Sequence, residues 1–150
     1  MPDAARLTAA LVLGIVGFVV SGMIVPLLEE QAESEVYVGY FFWINAGLGA
    51  LVGWTIIGSR AGRGLVSAIN MGITGAFMLI FWGLFVQACN EMVRLAMRNR
   101  FDNAFESLIA IFEIGADWFF LMATVPVLGS LAFGGILAGL LAEGASRTWR

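Results

Sequence analysis

Two strongly apolar runs, FFWINAGLGALVGWTIIG at 41–58 and LVSAINMGITGAFMLIFWGLFVQAC at 65–89, are joined by only six residues, SRAGRG. Each run is long enough to cross about 30 Å of hydrocarbon as a helix. The joining turn carries two arginines and no acid, so the pair reads as a transmembrane hairpin anchored at one membrane face. Any fold for this chain has to accommodate that hairpin.

Composition agrees. Of 150 residues, 60% are hydrophobic and 13% are charged, about half the charged share of an ordinary soluble domain. The apolar runs leave no tract long enough for a separate soluble domain, and a single membrane domain over 1–150 is expected. All eight cationic side chains are Arg, set against eleven acids, and there is no His. The small net charge gives no nucleic-acid footprint. Without His, the commonest metal ligand and general base is missing. The single Cys89 forms no internal disulfide or paired redox motif and reads as a small apolar residue. No nucleotide loop or nucleophile triad is present, so no catalytic residue, cofactor or metal site is assigned and the chain is not expected to be an enzyme.

Along the chain, an apolar run over 7–28 is longer than a signal-peptide core and is expected to stay as the first span. An acidic stretch with Tyr37 and Tyr40 then leads into the second run. There Asn45, Gly49 and Gly53 recur every four residues on one face. The third run carries a small-residue face at Ala68, Gly72, Gly75 and Ala76, beside a polar one at Ser67, Asn70 and Thr74. Because lipid is as apolar as leucine, such helices associate by close backbone approach and by small polar groups. Gly49 and Gly53 are therefore expected to pack on the Ala68/Gly72 face, with Asn45 and Asn70 as interhelical hydrogen bonders.

From residue 90 the pattern changes. Glu91, Arg94, Arg98, Asp102, Glu106, Glu113 and Asp117 fall within an arc of about 140° if one helix continues, with apolar residues opposite. This predicts an interfacial amphipathic helix over about 91–116, with RNRFDN as the place where it can break. A charged stripe of Glu91, Arg94, Arg98, Glu113 and Asp117 would face water or pair internally; a cation site or proton relay at Glu113 and Asp117 is the sharper, less favoured alternative. The final span is placed at about 118–142, with a kink near Pro126 and a GxxxG face at Gly135 and Gly139. The expected architecture is all-α: a polytopic transmembrane helical bundle of four spans plus the interfacial helix. With both termini cytoplasmic, Arg6, Arg60, Arg63, Arg147 and Arg150 lie inside, and Arg94, Arg98 and Arg100 outside.

Arg60 and Arg63 are the best candidates for chemistry. Two guanidinium forks on a glycine-rich turn that opens a helix would sit beside free backbone N–H groups, an anion cradle. The bland alternative is a topology signal that meets lipid phosphates.

Three segments, GWTIIGSRAGRGLVSAINMGITG, FWGLFVQACNEMVRLAMRNRFDNAFES and LAGLLAEGASRTWR, resemble the TrgA family of small bacterial membrane proteins associated with tellurite resistance. The resemblance implies a bacterial inner-membrane protein that helps cells tolerate tellurium oxyanions, and supplies no catalytic residues. In MRNRFDNAF the chain is less densely basic than the family pattern. Two functional expectations follow: a transport-related or envelope-protective factor, or a scaffold that associates with itself or another membrane protein through glycine-rich helix faces. The bilayer is the partner in either case.

Overall fold

The computed structural model describes residues 4–31, 40–98 and 102–149; Arg100, Arg150 and residues 32–39 of the acidic stretch, Tyr37 among them, lie outside the described residues. Every described element is helical: α1 (Ala4–Gln31), α2 (Phe41–Val52), α3 (Leu65–Ala96), α4 (Ala104–Met122) and α5 (Val125–Thr148). α2 runs on through a π-helical turn, Gly53–Ile57, and a 3-10 turn, Gly58–Arg60. The chain is an all-α bundle with four helices long and apolar enough to cross a membrane: α1, α2 with its two turns, α3 and α5.

The distribution of side-chain size explains the packing. Large apolar residues lie outside, such as Leu11, Ile15 and Val19 on α1 and Phe77, Phe81 and Phe85 on α3, whereas Ala5, Ala9, Ala138 and Ala142 are buried. A continuous exposed apolar surface of this kind marks a chain solvated by lipid. Small interior residues let the backbones close on each other, which is where van der Waals contact replaces the missing hydrophobic drive.

Two seams result. On the first, α1 meets α2: a methyl added at Gly49 would strike the Leu13 carbonyl, and one at Gly53 the Ala9 carbonyl. On the second, α3 meets α5: Gly72 and Gly135 each face the other's carbonyl, and Gly139 lies on Ala68. The expected packing of Gly49 and Gly53 on the Ala68/Gly72 face is therefore corrected. Neighbours in a hairpin need not be seam partners, and α5 offers the Ala68/Gly72 face a matching pair of glycines four residues apart. Asn70 is corrected too. It is exposed, because it stands two residues, about 200°, from both Ala68 and Gly72, so burying them turns it outward.

The helix boundaries differ from expectation in three places. α3 extends through Ala96 in place of ending at 89, so residues 91–96 belong to it and the amphipathic helix is α4. At 1.5 Å per residue α3 is about 48 Å long, more than the hydrocarbon requires. α4 starts where Asn103 caps it: the Asn103 Oδ1 accepts from the Glu106 N–H at 2.8 Å, and the Glu106 carboxylate accepts from the Asp102 N–H at 3.0 Å. Such reciprocal capping fixes a helix start, so the charges at 91–98 and 106–117 are not one stripe. The last span begins at Val125, not 118. Thr124 is extended and Pro126 sits in the first turn of α5, where its missing N–H costs nothing; it begins a helix and does not kink one.

α4 lies antiparallel along the C-terminal half of α3. Its Gly115 approaches Ala88, with an added Cβ at 3.8 Å, and farther along α4 Trp118 and Met122 reach the level of Ile80 and Leu84.

Candidate functional site: the arginine turn

The turn between α2 and α3 is built by its own hydrogen bonds. The π-helical turn closes with the Gly58 N–H donating to the Gly53 carbonyl. The Thr55 hydroxyl donates to the Leu51 carbonyl at 2.7 Å, and the Ser59 hydroxyl to the Thr55 carbonyl at 2.6 Å. Beyond Ala61 the backbone enters the left-handed region at Gly62, φ +90°, and Gly64, φ +106°. Only glycine adopts these angles without strain.

Those two glycines aim their N–H groups at one point, and Glu143 of α5 occupies it. The Gly62 N–H donates to Oε2 at 2.6 Å and the Gly64 N–H to Oε1 at 3.1 Å. Arg147, one turn on, donates from Nε to Oε1 at 3.0 Å. Glu143 is 2% exposed. Converging backbone N–H groups form an anion-binding concavity, and here the bound anion is the chain's own carboxylate. The expected cradle is corrected to that extent: the Gly62 and Gly64 N–H groups are already taken by Glu143.

The arginines themselves are displayed. Arg60 and Arg63 are both exposed. Arg60 contacts the Met71 sulfur at 3.4 Å. Among the described residues neither arginine forms an ion pair; the two bridges present are Arg94 with Glu91 and Arg147 with Glu143. Glu143 thus fixes the loop while both guanidinium groups stay uncompensated.

The other charged residues singled out from the sequence do not assemble. Glu91 and Arg94 pair at 2.6 Å across one turn of α3, Arg98 is exposed just past that helix, and Glu113 and Asp117 are exposed on α4. Among the described residues no three His, Cys, Asp or Glu side chains stand close enough to hold a metal.

Asn45, by contrast, is inside. Its Nδ2 donates to the Ser21 hydroxyl at 2.8 Å, which donates onward to the Gly17 carbonyl at 2.7 Å, linking α2 to α1. Beside this relay lies a cavity of about 50 Å³ walled by all five helices, including Ser21, Asn45, Leu79, Gln87, Trp118 and Leu131. A second hollow of about 320 Å³ shares Phe41 and Gln87 with the first and is bounded by Tyr40, Ile44 and Asn90.

Three positions that shape these sites escaped the sequence reading. Glu143 was signalled as a lone acid in an apolar run, four residues before Arg147; Ser21 and Gln87 are isolated polar residues in spans, a pattern that points to function or helix contact by default.

Comparison with protein-family models, with curated proteins and with solved structures finds no match.

Proposed function

We propose that this protein resides in a bacterial inner membrane with both termini in the cytoplasm, and contributes there to tolerance of tellurium oxyanions as a transport-related or envelope-protective factor. The observation that carries the reading is the pair of exposed guanidinium groups, Arg60 and Arg63, without an ion-pair partner among the described residues, on a loop held rigid by a buried carboxylate. A planar guanidinium binds an oxyanion through paired N–H donors, and a fixed loop lowers the entropy lost when two such groups act together. The identity of the oxyanion comes from the resemblance to the TrgA family; the arginine turn supplies the place where it would be met.

Replacing Arg60 and Arg63 by Ala is the test. Tellurite tolerance should fall while membrane insertion and protein abundance stay normal, since neither side chain is buried. A fall in tolerance that only tracks abundance would make the arginines topology signals. In a deletion strain, measuring tellurite uptake separately from tellurite reduction distinguishes a permeability role from a redox one.

The scaffold reading is the weaker. It relied on Gly49, Gly53, Gly72, Gly135 and Gly139 as association faces, and all five are spent on contacts within the chain.

A further inference from the structure

The cavity and the hollow beside it are unrelated to the arginine turn and carry a separate inference. Gln87 is 5% exposed, and its Nε2 is buried without a hydrogen-bond partner among the described residues. Buried donors are ordinarily paired, so an orphan needs a reason. Asn45 donates to Ser21, and Ser21 to Gly17, and no acceptor among the described residues reaches the Gln87 Nε2. Apart from these polar residues the cavity wall is overwhelmingly apolar.

The arrangement has a direction. The inner cavity is small and apolar, Gln87 stands where it joins the larger hollow, and that hollow is bordered by exposed Tyr40 and Asn90 at the start of α2 and late in α3. Along α3 the order is apolar wall at Leu79, Ile80 and Leu84, the Gln87 N–H donor, then a roomier hollow edged by Tyr40 and Asn90. A molecule with an apolar chain, a carbonyl and a bulkier polar end follows the same order.

We propose that the two hollows form one site for an acyl-ester lipid, with a stretch of its chain in the inner cavity, its ester carbonyl accepting from the Gln87 Nε2, and its polar end between Tyr40 and Asn90. A free fatty acid presents the same acyl carbonyl and is the other source of this chemistry.

Trp118, in the cavity wall, reports occupancy. With Trp43, Trp54, Trp82 and Trp149 changed to Phe, the full-length protein is reconstituted in ether-linked phospholipid and titrated with a chain-brominated ester phospholipid. Bromine in the cavity quenches Trp118. Saturable quenching is expected, with about tenfold weaker apparent affinity when the brominated lipid is ether-linked, the change expected from one lost hydrogen bond. Gln87→Leu should reproduce that loss with the ester lipid. Displacement by free oleate would assign the carbonyl to a fatty acid and leave the proposed site standing. Equal quenching by ester and ether lipids, which needs no change at Gln87, would overturn it, and so would a folded Gln87→Leu protein that binds as the parent does.

Discussion

Glu143 holds the end of the bundle together through two unequal kinds of contact, and the difference is measurable. Its carboxylate is buried and accepts from the part-buried Gly62 and Gly64 N–H groups, whereas its ion-pair partner Arg147 is 58% exposed in its side chain. Exposed ion pairs contribute at most about 1 kcal/mol; removing a buried acceptor strands its donors and costs about 3 kcal/mol or more. Glu143→Ala should therefore lower the thermal unfolding midpoint in mild detergent strongly. Glu143→Gln, whose amide oxygen still accepts one bond, should be intermediate, and Arg147→Ala close to wild type. An Arg147→Ala loss as large as that of Glu143→Ala would transfer the role to the ion pair. None of this was legible from the turn alone. The sequence shows glycines and arginines that could receive an anion; that the anion is residue 143 depends on α5 returning to the same end of the bundle, a tertiary fact.

The helices illustrate how far periodicity reaches. Small residues four apart on α2, α3 and α5 were readable as close-packing faces, because their spacing alone puts them on one side. Which face meets which was not, since every seam presents the same pattern and the choice is settled by the whole bundle. Gly47 and Gly49 on α2 separate the two contributions. Nothing lies within 4 Å of a methyl added at Gly47, whereas one at Gly49 meets the Leu13 backbone. In a helix Ala is preferred over Gly by up to about 1 kcal/mol, so Gly47→Ala should leave the unfolding midpoint unchanged or raise it. Gly49→Ala should lower it despite that gain, because forcing the α1 and α2 backbones apart costs about 1–3 kcal/mol. The start of α4 could have been read in full: Asn103 and Glu106 stand at capping-box spacing ahead of an apolar run. Asn103→Ala should weaken the first turn by about 1 kcal/mol, seen as faster amide hydrogen exchange at Glu106 and Ser107 while the amides of α3 keep their protection.

Charge divides the molecule by its ends. Arg6 packs on Gly58, next to the Arg60–Arg63 turn, and Arg147 bonds Glu143 beneath the same turn, so four arginines gather where α1 begins and α5 finishes. At the opposite end, among the described residues, stand Arg94 and Arg98, and Arg94 is neutralised by Glu91 at 2.6 Å. The bias that orients membrane proteins counts Lys and Arg near the ends of spans, and in the proposed orientation the first end is the cytoplasmic one. A C-terminal fusion should accordingly give a fluorescent green protein and an inactive alkaline phosphatase. The Arg60→Ala, Arg63→Ala pair leaves two described arginines at each end, so the same fusions on that variant check whether its orientation is kept; removing all four should yield a mixed population. Phosphatase activity in the unaltered protein would invert the assignment, placing Arg60 and Arg63 in the periplasm, where they would meet an oxyanion before it crossed the membrane and not after.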